Sequence, residues 1–269
     1  MINTNPLGIL GQFYFNIRDS FKSIYQNSNF YEKKISKTFK NNFEYKPSPH
    51  LLSSIIKYQS KKYKIEDFAI ESIWQNKLSP KDYEKLNNFF WFFSLDLKSS
   101  KKTTQTVIKN WILNNNKFQK KSWEFDLTAK RIISWLSNHQ LTYEDSDQAY
   151  RSTFNHMIQK QTNHLLNEIK NSKEVENKLI GCAAIILTGL AYKNEKQYLL
   201  NGLNLLKNII KSSIDNQGFP KSRNIRQLVF YLKYFIIIRE WFKESQSLIP
   251  EYIEETIYYL GSSLSLIHI

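Results

Sequence analysis

Apolar residues recur along most of this chain at i, i+3, i+4 spacing, and strand-like alternation is nearly absent. That period lines an apolar stripe along each helix it builds. From residue 79 onward it predicts a succession of helices joined by short loops. Ser79–Pro80 opens the first, which runs through Lys98: Ser79 caps, Pro80 takes the first helical position, and Asp82 and Glu84 complement the dipole. Phe89 to Phe93 form an aromatic block inside it. Further helices are predicted over Thr103–Leu113, Leu127–Leu136, Asp147–Ile169, Leu179–Ala191, Tyr198–Ile214 and Ile249–Leu260. In the one starting at Leu179, the small residues Gly181, Ala183, Ala184 and Gly189 permit close helix approach. The remaining helix follows the breaker Asp215-Asn216-Gln217-Gly218-Phe219-Pro220. Ser222 is its expected cap, and Ile225, Leu228, Val229, Leu232, Phe235 and Ile236 form its stripe. Phe230, Tyr231, Tyr234, Ile237 and Ile238 fill most of the rest of its circumference, as in a helix buried between neighbours.

Residues 1–64 are less regular. Ile9–Tyr25 reads as a helix, Lys46-Pro47-Ser48-Pro49-His50 as a linker, and the whole as an arm laid over a larger body spanning 65–263. The predicted fold class is all-α, built from antiparallel helix pairs.

With 41% apolar and 15% aromatic residues among 269, the chain can bury a sizeable core. Only 7 glycines and 6 prolines argue against a many-turned β-sandwich, and no glycine-rich phosphate loop is present. The net charge of +14 favours an acidic partner, although the lysines are scattered rather than gathered into one stripe. Cys182 stands alone on a helical pattern, where it reads as a small core residue. His50, His139, His156, His164 and His268 show no metal-ligand spacing, so neither metal nor cofactor is expected. The start of the chain lacks the basic segment of a secretory signal, and the most apolar stretch, Leu228–Ile238, is too short to span a membrane. Localisation is left open. At the start of the buried helix, Lys221, Ser222, Arg223, Asn224 and Arg226 form a polar, basic cluster. With the amide donors there it is suited to an anion, or is simply a solvated helix start.

Several phrases, Phe93-Ser94-Leu95-Asp96-Leu97-Lys98, Asn110-Trp111-Ile112, Trp123 and Arg131-Ile132-Ile133-Ser134-Trp135-Leu136, resemble the helical half of the heparinase II/III family of polysaccharide lyases. Gln161-Thr162-Asn163-His164-Leu165 is similar to that family's Q-x-x-H-L helix, and Gln217 to Asn224 resembles a D-G-G-H-x-x-R-N segment of a bacterial branch. The resemblance implies an incomplete α/α toroid followed by a β-sandwich domain, with an acidic polysaccharide between them. It implies β-elimination: a side chain neutralises the uronate carboxylate, a base removes the C5 proton, and an acid protonates the departing oxygen. Arg223 and Asn224, which match the R-N of that bacterial-branch segment, and Asn177, by a one-residue shift, are the expected catalytic residues; His164, at the Q-x-x-H-L position, and Lys221 and Arg226, from the basic cluster, are the expected substrate-binding residues. The family's G-N-H tripeptide falls on Val175-Glu176-Asn177, so its Asn-His pair is not reproduced. Leu264 to Ile269 reads as the in-frame translation of a sequencing-adapter end, which implies that the β domain is missing from this chain. Two other readings stand beside the lyase. One is a non-catalytic anionic-glycan-binding or scaffold protein on the same fold. The other, nucleic-acid binding, rests on charge alone and has no motif behind it.

Overall fold

The computed structural model describes residues 18, 20–39, 43–56 and 78–267. The first part of the expected Ile9–Tyr25 helix, the start of the 65–263 body and His268 lie outside them. The described residues are all-α, with no named strand among them. After a helical stretch at 20–26 come α1 (Asn29–Ile35), α2 (Pro49–Ile56), α3 (Pro80–Asn87), a 3-10 turn at Phe90–Ser94, α4 (Lys101–Asn115), α5 (Phe125–Ser137), the short α6 (His139–Thr142), α7 (Gln148–Glu168), α8 (Val175–Ala191), α9 (Lys196–Ser213), α10 (Ile225–Glu244) and α11 (Glu251–Ile267). None of these helices is long and apolar enough to cross a membrane.

Several starts follow the expected chemistry. The Ser79 hydroxyl accepts the Asp82 N–H with Pro80 in the first turn, and Asp147 accepts the Tyr150 N–H. Two expectations are corrected. The helix expected to run through Lys98 stops at Asn87, because Phe89 adopts a left-handed conformation (φ 59°). Asn88 accepts the Phe90 N–H at 2.8 Å and Ser134 donates to the Phe89 carbonyl at 2.6 Å, which leaves the Phe89 ring edge-on to Trp111 and Trp135. Tertiary packing of that ring overrides local helix propensity. The cap of α10 is Asn224 rather than Ser222, since Arg223 also takes a positive φ of 58° and delays the helix by two residues.

The core is organised around α8, in which every residue from Leu179 to Ala191 is buried. It packs against α5, α7, α9 and α10, and α10 packs in turn against α11. The small residues of α8 and α9 make this possible: Gly189 lies against the Leu199 backbone, Gly202 against Ile186, and the Cys182 thiol donates to the Gly202 carbonyl at 3.1 Å. α9 and α11 bury narrower stripes, such as Tyr198, Leu206 and Ile209 in α9. The result is two layers, α5, α8 and α10 inside and α7, α9 and α11 against them.

The three inner helices are parallel. Phe125 at the start of α5 packs on Gly181 near the start of α8, and Gln227 at the start of α10 bonds to Glu176 in the first turn of α8. At the other end Lys193, just past α8, donates to the carbonyl of Ser245, just past α10.

Residues 29–39 and 43–48 lie over this body. Buried Lys160 of α7 pairs with Glu32, Asn163 donates to the Ile35 and Lys37 carbonyls, and Gln159 exchanges two bonds with the Phe39 backbone. Further on, the Glu44 N–H caps the Ala191 carbonyl at 2.9 Å and Tyr45 donates to Glu244 at 2.7 Å.

Candidate functional site

The parallel run of α5, α8 and α10 brings three helix N-termini to one end of the molecule, where amide donors and positive dipole ends collect. Most of the residues expected to act on substrate are found there. Asn177 sits half-buried in the first turn of α8, and its side-chain amide has no partner among the described residues. The neighbouring Glu176 accepts from Gln227 Nε2 at 2.7 Å, and Gln227 Oε1 accepts from Ser222 Oγ at 2.5 Å. One glutamine thus ties the start of α8 to the loop entering α10.

That loop is built by Asp215. Its Oδ1 accepts the Gln217 and Phe219 N–H groups at 2.9 Å each, and its Oδ2 pairs with Arg223 at 2.7 Å. The Phe219 N–H first, then the Gln217 N–H and Arg223, hold this carboxyl below its ordinary range. Gly218 supplies the positive φ (80°) where the turn presses on the Tyr259 backbone.

The six expected residues have different fates in this geometry. Asn224 spends its side-chain oxygen on the Arg226 N–H as the helix cap. Arg223 remains largely exposed but already has Asp215 as counter-ion. Lys221 donates to the Lys211 carbonyl at 2.8 Å, at the end of α9, and is exposed. Arg226 is exposed and has no partner among the described residues. His164 is elsewhere. It is buried in α7, with Nε2 2.9 Å from the Trp123 carbonyl and Nδ1 2.7 Å from Tyr31 Oη. Since a carbonyl only accepts, Nε2 carries the proton and Nδ1 accepts from the phenol. Both nitrogens are used within the fold, so only the ring is left to line a cavity of about 260 Å³ that also borders Lys22, Lys120, Glu124, Phe125 and Glu168.

The sequence reading missed three bonding arrangements, two at this end and one around His164. Asp215 as the counter-ion of Arg223 was readable only as part of a turn. The Gln227–Glu176 link and the Tyr31–His164 bond join residues far apart in sequence and have no local signal. Among the described residues, no three His, Cys, Asp or Glu side chains converge as a metal-ion site.

Burial, foremost, pushes the pKa of His164, His139 and His156 below the ordinary imidazole value. A histidine held neutral in the fold and free to charge in the unfolded chain makes the unfolded state the better proton binder below about pH 6.5. Stability is therefore expected to fall as the pH drops from 7.5 to 5. Urea midpoints across that range test this, and His164→Gln should flatten the dependence.

No family model, curated protein or solved structure matches this chain.

Proposed function

We propose that the chain binds an acidic, uronate-bearing polysaccharide across the end where α5, α8 and α10 begin, on an incomplete α/α toroid. The observation that carries this reading is the α10 entry loop, where Lys221, Arg223 and Arg226 stand exposed around a helix N-terminus and Arg226 has no partner among the described residues. Exposed cations beside the positive end of a helix favour a polyanion that stays hydrated. The net charge of +14 adds long-range attraction.

Binding is favoured over elimination because the expected chemical groups are engaged in the fold. Asn224 is a cap, Arg223 is neutralised, and His164 has no nitrogen to offer. One observation keeps the lyase as a second reading: the unpartnered Asn177 amide lies at the same end as Arg223, where together they would polarise a uronate carboxylate. The base would then come from another domain of the β-rich kind that the resemblance implies.

The double variant Lys221→Glu/Arg226→Glu is expected to weaken retention on a polyuronate by about tenfold or more at low salt, with a shallower salt dependence than the parent. A neutral polymer should not be retained by either protein. Undiminished binding by the double variant overturns the assignment of this loop. For elimination, the ultraviolet absorbance of unsaturated uronate product is the readout, and its loss in Asn177→Ala supports the second reading.

A further inference from the structure

The opposite end of the molecule holds a larger cavity, of about 600 Å³, between the N-terminal arm, α6 and the C-terminal ends of α8 and α10. Its volume is in the range of small-molecule sites. Its residues come from positions 44–46, 48–50, 139–140, 193 and 244–246, which no sequence pattern groups.

One wall is an imidazole–carboxylate pair. Past α6 the chain turns back on itself, with the Glu144 N–H bonded to the His139 carbonyl and Asp145 left-handed (φ 58°). This brings Glu144 Oε1 to 3.0 Å from His139 Nδ1. Glu144 is flanked by Lys46 at 3.6 Å and Lys101 at 3.7 Å. A carboxylate can only accept, so Nδ1 carries the proton and the Nε2 lone pair has no partner among the described residues. Phe43 packs edge-on to the ring, 6.4 Å between centroids, and fixes its plane.

Each of the other carboxylates has one oxygen engaged by neutral donors. Glu244 Oε2 accepts from Tyr45 Oη at 2.7 Å and from the Ser48 N–H at 3.1 Å, and Glu44 accepts from Asn194 at 3.1 Å. The carbonyl ends of the helices are also covered, Ala191 by the Glu44 N–H and Ser245 by Lys193 at 3.0 Å. The donors are not exhausted. Lys46 makes one long ion pair, Lys193 one hydrogen bond, and the amides of Gln140 and Gln246 have no partner among the described residues. The cavity thus offers two ammonium groups, two amides and one imidazole acceptor. That set complements a carboxylate bearing several hydroxyls.

We propose that this cavity is a second binding site, separate from the polymer face, for a small hydroxylated carboxylate of the sugar-acid class. Lys46 and Lys193 pair the carboxylate, Gln140 and Gln246 hold hydroxyls, and His139 Nε2 accepts from one of them. Glu144 acts as a positioning residue that sets the imidazole tautomer. The groups facing His139 are Glu144 beyond its own helix, Lys46 on the arm, Glu244 on α10 and, through Glu144, Lys101 on α4.

The test is titration of the full chain with glucuronate, glucose and acetate, followed by calorimetry and by nitrogen-15 NMR of the histidines. Glucuronate is expected to bind saturably, glucose and acetate at least about tenfold more weakly. The His139 Nε2 resonance should move on binding, a change that a purely structural histidine would not show. Lys46→Met and Gln246→Ala, both partly exposed positions, should each weaken glucuronate binding several-fold, whereas Lys221→Glu/Arg226→Glu should leave it unchanged. Absence of saturable glucuronate binding overturns the proposal. So do acetate binding as tightly as glucuronate, and unaltered affinity in both cavity variants. Failure of the unsubstituted protein to be retained on a polyuronate, with glucuronate binding intact, would instead count only against the α10 entry loop.

Discussion

Replacing Arg131 with alanine is expected to cost about 3–5 kcal/mol of folding stability. Arg131 lies on α5 and is completely buried, yet among the described residues no carboxylate bonds to it. Its guanidinium donates to Gln161 Oε1 at 3.0 Å, the Asn87 carbonyl at 2.8 Å, the Ser122 carbonyl at 3.0 Å and Thr128 Oγ1 at 3.2 Å, and stacks 3.9 Å from the Trp111 ring. Burial without a counter-ion lowers its pKa to about 9, so the fold holds the charge with dipoles and a π face. Alanine would strand two backbone carbonyls and the Gln161 oxygen in the core and open a cavity against Trp111. Lysine keeps the charge but not the fork, and should recover only part of the loss. Urea unfolding of the two variants measures both effects. A cost below about 1 kcal/mol for alanine would mean that these bonds contribute little.

Gly189→Ala is expected to destabilise by about 2–3 kcal/mol even though alanine is the better helix former. A Cβ at this position would lie 2.7 Å from the Cα and 2.8 Å from the Cβ of Leu199, atoms that belong to the α9 backbone or are fixed to it. Neither helix can yield locally, so α8 and α9 must separate and every contact along their shared face suffers. Gly181→Ala makes a useful contrast. There the neighbour is the ring of Phe125, 2.7 Å from the added atom at Cε1, and a side chain that is only partly buried can turn away. Thermal unfolding should place Gly189→Ala well below Gly181→Ala, and the reverse order would show that the α8–α9 spacing is not the rigid element.

The helices were legible because their period is written in the sequence. The stripe Val107, Ile108, Trp111 and Ile112 and the small residues of α8 announce both the elements and a close helix pair, and each is found buried. What the period does not carry is conformation chosen by distant contacts. Nothing in Asn87-Asn88-Phe89-Phe90 says that the helix must break. The break is held by Ser134 and by the rings of Trp111 and Trp135, residues of other helices. The same limit applies to the site. Local composition marks Lys221 to Arg226 as a basic helix entry, and the structure finds them exposed at the end where the inner helices begin. It does not say that Asp215 takes up Arg223, or that Tyr31 and Trp123 consume both nitrogens of His164. The resemblance suggested chemistry at these positions, and long-range bonding redirects several of them to structural duty.

The central claim is that an acidic polysaccharide meets this protein where α5, α8 and α10 begin. Backbone NMR of the full chain, titrated with a defined uronate oligosaccharide, tests it most directly. The account predicts saturable shifts concentrated at residues 221–227 and 175–178, and no such response to a neutral oligosaccharide of equal length. Shifts confined to other surfaces, or an equal response to the neutral sugar, would contradict it.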